Sequence, residues 1–101
     1  MINIILCCQQ GASTSMLASS MREAAQKRNL EVQISAYPYT ELSDVAPSAD
    51  IVLFGPQVRY MLAEFAKQLD AINKPYMLID TVDYGMMDGQ AVLDKALVKL
   101  K

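Results

Sequence analysis

The chain contains no histidine, so the side chain that most often serves as a general base and a metal ligand is missing. Its only two cysteines, Cys7 and Cys8, are neighbours. Adjacent cysteines would form a strained disulfide and provide no Cys-x-x-Cys motif, which argues against a disulfide framework, a zinc site and a thioredoxin-type centre. We therefore expect no metal and no cofactor, and any covalent chemistry should be carried by a cysteine.

Positive charge is also scarce. No Lys or Arg occurs between Met1 and Met21, the net charge is -2, and no basic stripe is visible, so nucleic acid is not an expected partner. The apolar runs fall well short of the ~18–20 residues that span a bilayer, and no signal peptide is evident. A length of 101 residues with 52% hydrophobic content predicts one domain, 1–101. Since neither a signal peptide nor a membrane span is visible, we expect a cytoplasmic chain, and we expect it to be monomeric in isolation.

Hydrophobic patterning predicts four strands that alternate with helices. The first and third candidate strands are continuous apolar runs, whereas the second alternates polar and apolar residues as an edge strand does. Gly55-Pro56 ends the third strand and starts a helix with an apolar stripe, and Asp88 is positioned to cap the last helix. We predict Met16 and Met21 in the core, strands over 2–7, 31–36, 50–54 and 76–79, helices over 13–28 and about 41–45, and a loop from Asp80 to Met87.

Such alternation is typical of an α/β fold in which a parallel sheet carries helices on both faces. We predict the strand order 2-1-3-4, as in flavodoxin-like and low-molecular-weight-phosphatase-like folds. In this order the ligand crevice lies beyond the carboxyl ends of strands 1 and 3. Cys8 and the Gly55-Pro56-Gln57 turn follow those strands, and Tyr84 lies in the predicted loop after strand 4. We expect Gly55, Pro56, Gln57 and Tyr84 to border a site centred on Cys8.

The segment after Cys8 has the composition of an anion-binding loop. Gly11 permits backbone conformations that other residues resist, and the hydroxyl side chains add donors to the free N–H groups of a helix start. The same surroundings favour the reactive thiolate. The predicted phosphate-binding residues are Gln9, Gln10, Gly11, Ala12, Ser13, Thr14 and Ser15.

The loop resembles the Cys-x5-Arg-Ser/Thr loop of cysteine phosphatases, with one departure. Thr14 stands where the phosphatase has its arginine, which clamps the phosphoryl group and stabilises the transition state. A loop without that cation can accept a phosphoryl group on sulfur and yet resist its loss to water. This behaviour suits a relay better than a hydrolase.

Three stretches of the chain, residues 8–17, 50–61 and 83–89, have a recognisable sequence. Together they resemble the IIB enzymes of the lactose/cellobiose (N,N'-diacetylchitobiose) type of the bacterial phosphoenolpyruvate-dependent sugar phosphotransferase system (PTS). The resemblance implies that Cys8 accepts a phosphoryl group from a histidine of a IIA protein, as a phosphocysteine. It further implies transfer to a cellobiose-, chitobiose- or lactose-like sugar held by the membrane protein IIC, with which the chain would associate.

Two other functions stay open at this point. A small cysteine-dependent phosphatase of the same fold would hydrolyse phosphate esters, and the missing loop arginine argues against it. A non-enzymatic regulatory module is the other alternative. A receiver-type module would need an aspartate at the end of strand 3, where Phe54 stands, and a nucleotide P-loop would need Gly-Lys-Ser/Thr, which is missing.

Overall fold

The computed structural model describes residues 1–9 and 12–100. Its parallel strands form one four-stranded sheet in the order β2-β1-β3-β4. The predicted strand order is therefore confirmed. The strands are β1 (Ile2–Cys8), β2 (Val32–Pro38), β3 (Ile51–Phe54) and β4 (Tyr76–Leu78).

The helices connect these strands and cover both faces of the sheet. Short 3₁₀ segments flank two of them, at Tyr39–Glu41, Ala46–Ser48 and Pro56–Met61. No helix within the described ranges 1–9 and 12–100 combines the length and apolar character needed to cross a bilayer. The α-helices are α1 (Ala12–Lys27), α2 (Leu42–Val45), α3 (Leu62–Ala71), α4 (Thr81–Gly85) and α5 (Gly89–Leu100).

The prediction of a loop from Asp80 to Met87 was wrong, because α4 forms inside it. Asp80 caps this helix: its carboxylate Oδ1 accepts hydrogen bonds from the backbone N–H groups of Val82 at 2.8 Å and Asp83 at 3.2 Å. These bonds satisfy amide groups that have no partner within the helix. They also hold the pKa of the Asp80 carboxyl below its usual value.

Alternate strand residues feed two hydrophobic clusters on opposite faces of the sheet. In the second cluster Phe54 of β3 stacks on Phe65 of α3, with ring centroids 4.8 Å apart. The first cluster contains Ile4, Leu6, Leu17, Ala18, Met21, Ile51, Leu53, Val92 and Leu93, and the second contains Ile5, Cys7, Leu42, Val52, Phe54, Val58, Phe65 and Leu69. The chain thus passes to one face after β1 and to the other after β3, which opens a crevice between the ends of these two strands.

Met16 does not belong to either buried layer, contrary to the sequence prediction. It is 65% exposed, whereas Leu17 and Met21 on the same helix are fully buried. The side of α1 that packs on the sheet is occupied by Leu17, Ala18, Met21 and Ala25, and position 16 is rotated away from it.

Candidate functional site

Cys8 is the last residue of β1 and lies at the carboxyl end of a central strand. It is only 3% exposed. The hydroxyl of Thr14 donates a hydrogen bond to its sulfur, with Oγ1 and Sγ 3.1 Å apart, and Thr14 itself is completely buried. Because Thr14 lies in the first turn of α1, this contact sets the start of the helix against the sulfur.

The other predicted phosphate-binding residues connect β1 to α1. Gln9 forms an exposed bend, and Ser15 is an exposed residue of α1. Ala12 and Ser13 are the first residues of α1, while Gln10 and Gly11 lie outside the described residues. The first amide groups of any α-helix lack intrahelical acceptors and carry partial positive charge. At this position they can serve a negatively charged group bonded to Cys8.

Gly55 follows β3 and approaches Cys8 from the neighbouring strand. Its N–H donates to the carbonyl oxygen of Cys7 at 3.0 Å, which continues the pairing of β3 with β1 beyond the last strand residue. A Cβ built on Gly55 would lie 3.6 Å from Cys8 Cβ. Pro56 begins the 3₁₀ segment that leads away from this point.

Gln57 and Tyr84 are joined directly, although 27 positions separate them in the chain. The side-chain Nε2 of Gln57 donates to the Tyr84 hydroxyl oxygen at 2.7 Å. Gln57 is exposed, whereas Tyr84 is 9% exposed and packs with the first hydrophobic cluster. The segments that follow β3 and β4 are therefore tied together by side chains.

Cys7, the neighbour of Cys8 in the chain, lies in the apolar core. It is fully buried in the second hydrophobic cluster, on the face of the sheet opposite to Cys8. Burial, together with the nearby Cys8 and Glu41, raises the pKa of the Cys7 thiol to about 12. Cys7 therefore remains a protonated, apolar core residue at neutral pH.

Sequence reasoning missed two features of this region. The helix α4 could have been found, since Asp80 followed by Asp83 has the spacing of a capped helix start. The hydrogen bond between Gln57 and Tyr84 had no such signal, because their contact depends on how β3 and β4 pair. A single sequence does not report distances between residues so far apart in the chain.

Comparison with known proteins places this arrangement in a family. The family model for the PTS system, lactose/cellobiose specific IIB subunit, matches residues 3–95. A PTS system oligo-beta-mannoside-specific EIIB component of Bacillus subtilis is 37% identical over 97 residues, which cover 96% of this chain and 94% of that protein. A PTS system cellobiose-specific EIIB component of Lactococcus lactis is also 37% identical, over 98 residues that cover 92% of this chain and 91% of the relative.

The solved structures agree with the sequence relatives. The cellobiose-specific phosphotransferase IIB component from Borrelia burgdorferi has a TM-score of 0.83 at 35% identity, covering 98% of this chain and 91% of that structure. The chain also matches part of a larger protein, a PTS system lactose-specific EIICB component of Lactococcus lactis. The identity there is 25%, over 90% of this chain but 16% of the relative. The chain therefore belongs to the lactose/cellobiose-specific IIB subunits of the sugar phosphotransferase system, which are phosphotransferases.

Proposed function

We propose that this IIB subunit carries its phosphoryl group on Cys8. The observation that supports this assignment above all is the hydrogen bond from the buried Thr14 hydroxyl to Cys8 Sγ. A donor at this position stabilises negative charge on sulfur, both when the thiolate attacks phosphorus and when it leaves. Cys7 is buried on the other face with a raised pKa, so it competes for neither step.

In the first step, the Cys8 thiolate attacks the phosphorus of a phosphohistidine on a IIA protein. The S–P bond forms as the N–P bond breaks, and the imidazole leaves with the electron pair. The resulting dianion lies at the start of α1, where free amide groups and the helix dipole favour negative charge. No Lys or Arg occurs between residues 1 and 21, so the segment after β1 supplies neutral donors where a phosphatase loop has an arginine.

In the second step, a sugar hydroxyl bound to IIC attacks the phosphorus. The O–P bond forms, the S–P bond breaks, the hydroxyl proton passes to a base on the sugar-binding partner, and Cys8 departs as the thiolate. The fused EIICB relative supports IIC as the partner. Relatives that are 37% identical are named for oligo-beta-mannosides, galactose and cellobiose, which supports a sugar as the acceptor. Within this range, the proposed acceptor is a cellobiose-, chitobiose- or lactose-like disaccharide.

We further propose that residues 1–101 act as one IIB domain, located in the cytoplasm and recruited to the membrane through IIC. The match of the family model to residues 3–95 supports a single unit. Its hydrophobic clusters enclose one continuous sheet, which also favours a single unit.

Mass spectrometry tests the assignment. The chain is incubated with phosphoenolpyruvate, the general phosphotransferase proteins and a cognate IIA, and its intact mass and peptides are then measured. We expect one added phosphoryl group, located on Cys8 and removed when IIC and sugar are supplied. A chain that stays unmodified, or that carries the group elsewhere, would contradict the proposal. Turnover of a chromogenic phosphate ester would favour the phosphatase alternative instead.

A further inference from the structure

The Gln57 side chain spans the distance between Tyr84 and the vicinity of Cys8. At one end, its Nε2 donates to the Tyr84 hydroxyl oxygen at 2.7 Å. At the other end, its carbonyl Oε1 occupies the space where Gly55 has no side chain: a Cβ built there would lie 2.4 Å from Oε1 and 3.6 Å from Cys8 Cβ. The amide oxygen therefore lies against Gly55, which neighbours Cys8 where β3 pairs with β1.

This orientation suits the free thiol but not the phosphorylated one. An amide oxygen accepts hydrogen bonds and cannot donate them, so it would repel the oxygens of a phosphoryl dianion. The amide nitrogen, if turned to the same place, would offer N–H donors to those oxygens. Gln57 is exposed, so its amide can rotate without displacing the core.

Tyr84 allows the rotation without loss of the hydrogen bond. A tyrosine hydroxyl is both a donor and an acceptor. It accepts from Nε2 in the observed orientation, and after rotation it can donate its proton to Oε1. Because Tyr84 is nearly buried in the first hydrophobic cluster, its ring is fixed and both orientations are anchored at the same point.

We propose that Gln57 contacts the phosphoryl group on Cys8 through its side-chain amide. The amide nitrogen turns from Tyr84 to the phosphoryl oxygens when Cys8 is phosphorylated, and Tyr84 positions it in both states. This inference rests on the proposed function of Cys8. It supplies a neutral side-chain donor from the segment after β3, in a protein whose loop after β1 has no cation.

Two substitutions at Gln57 distinguish the loss of a hydrogen-bond donor from the addition of a negative charge. Gln57→Leu removes the donor, and Gln57→Glu replaces it with a charged acceptor of nearly the same shape. We expect the second-order rate of Cys8 phosphorylation by phosphorylated IIA to fall about tenfold or more in both, since hydrogen bonds to charged groups are strong. Tyr84→Phe should lose less, because the amide is kept but no longer anchored. A slow Gln57→Glu with an unchanged Gln57→Leu would overturn the proposal, since repulsion alone would explain it.

Gly55 offers a way to displace the amide without changing any polar group. A Cβ at Gly55 meets only the movable end of Gln57 at short range, whereas a Cβ at Gly85 meets nothing within 4 Å. We expect Gly55→Ala to slow phosphorylation by about the same factor as Gln57→Leu, with Gly85→Ala at the wild-type rate. Equal rates in the two alanine variants would count against the proposal.

A nitrogen-15 NMR spectrum reports directly on the side-chain amide of Gln57, which would keep its hydrogen bond to Tyr84 if its role were only structural. The side-chain NH₂ resonances of Gln57 should shift when Cys8 becomes phosphorylated in the wild-type chain, and they should shift less in Tyr84→Phe. Unchanged resonances on a chain that mass spectrometry shows to be phosphorylated would overturn this inference and leave the carrier function intact. A wild-type chain that accepts no phosphoryl group would instead refute the proposed function.

Discussion

Helix α1 contributes to two regions that differ in how well they can accommodate an added side-chain atom. At its first turn, Thr14 contacts the sulfur of Cys8. Further along, its backbone packs against the start of α5, where a Cβ added to Gly89 would lie 2.4 Å from both Met21 N and the carbonyl carbon of Ser20. We call the second region the α1–α5 seam, defined by Ser20, Met21, Met87 and Gly89.

In the seam, the backbone of α1 leaves no room for a side chain at Gly89, whereas at the site the space beside Gly55 is filled by a movable side chain. In the seam, the Ser20 hydroxyl donates to the Met87 carbonyl at 3.0 Å and accepts from the Gly89 N–H at 3.1 Å. At the site, a Cβ on Gly55 would also meet an atom at 2.4 Å, but that atom is the far end of the flexible Gln57 side chain. An added Cβ would therefore meet a rigid obstacle at Gly89, where the fold would have to shift. At Gly55 it would meet a side chain that can move aside.

The largest effect that this comparison predicts is chemical and confined to the site. Cys8→Ser should reduce phosphorylation by roughly a thousandfold or more, because a serine hydroxyl is a far weaker nucleophile at neutral pH than a cysteine thiolate. Cys7→Ser is the matched control, with the same change one residue earlier. It should keep the phosphorylation rate while losing about 1–3 kcal/mol of stability, since it buries a hydroxyl in an apolar cluster. Mass spectrometry measures the phosphorylation rate, and urea unfolding measures the stability. Loss of phosphorylation in Cys7→Ser would contradict the assignment of the chemistry to Cys8 alone.

The next effect concerns the seam and should appear in stability. Gly89→Ala forces a methyl group onto the backbone of α1, so we expect the free energy of unfolding to fall by about 3 kcal/mol. Gly85→Ala is the control, since its added methyl group meets nothing within 4 Å and restricts the unfolded chain. It should be neutral or raise stability by up to about 1 kcal/mol. Urea unfolding curves of both variants measure these changes in stability. Equal midpoints would contradict the prediction and would show that α5 can move away from α1.

The sequence predicted the parts of the molecule whose signals are local. The continuous apolar run in β1 and the alternation around Ile34 in β2 correctly indicated a central and an edge strand. Asn29 follows the predicted helix over 13–28, and its left-handed backbone, with φ 54°, is typical of the residue after a helix end. These patterns depend on neighbours within a few positions, which a single sequence displays.

The parts that escaped prediction depend on packing between distant segments. Met16 has the hydrophobicity of a core residue, and only the orientation of α1 on the sheet decides that it is exposed. Gly89 gives no sign in the sequence that α1 backbone lies against it. Cys8 was predicted as the site residue, yet its contact with the Thr14 hydroxyl required coordinates. The sequence predicted Cys8 and Thr14 in one phosphate-binding segment, but it did not predict that the Thr14 hydroxyl contacts the sulfur itself.

Alkaline pH should lower the stability of the protein through the buried thiol of Cys7. Cys7 has a pKa of about 12 in the folded protein against an ordinary value of 9.0. Between these values the folded state keeps a proton that the unfolded state releases. The free energy of unfolding should therefore fall by about 1.4 kcal/mol per pH unit as the pH rises from 9 towards 12.

Cys7→Ala isolates this contribution from the other groups that titrate at alkaline pH. The variant lacks the thiol but keeps every tyrosine and lysine, so the difference between its unfolding free energy and that of the wild type should vary with pH. We expect the wild type to lose its advantage over the variant above pH 9, in urea unfolding series at fixed pH values. Parallel curves across this range would mean that burial does not hold the proton on Cys7.

The smallest predicted effect tests the contact between α1 and the sulfur. Thr14→Val preserves the shape of the buried side chain and removes the hydroxyl that donates to Cys8 Sγ. Losing one hydrogen bond to a charged sulfur should slow both alkylation of Cys8 by iodoacetamide and its phosphorylation by IIA, each about tenfold. Thr14→Ser retains the hydroxyl and should recover most of the rate despite the small cavity left by its missing methyl group. The order of the three rates is decisive, because a cavity would slow the serine variant more than valine, whereas loss of the donor slows valine more. A valine variant faster than the serine variant would show that packing around Thr14, and not its hydroxyl, governs the reactivity of the sulfur.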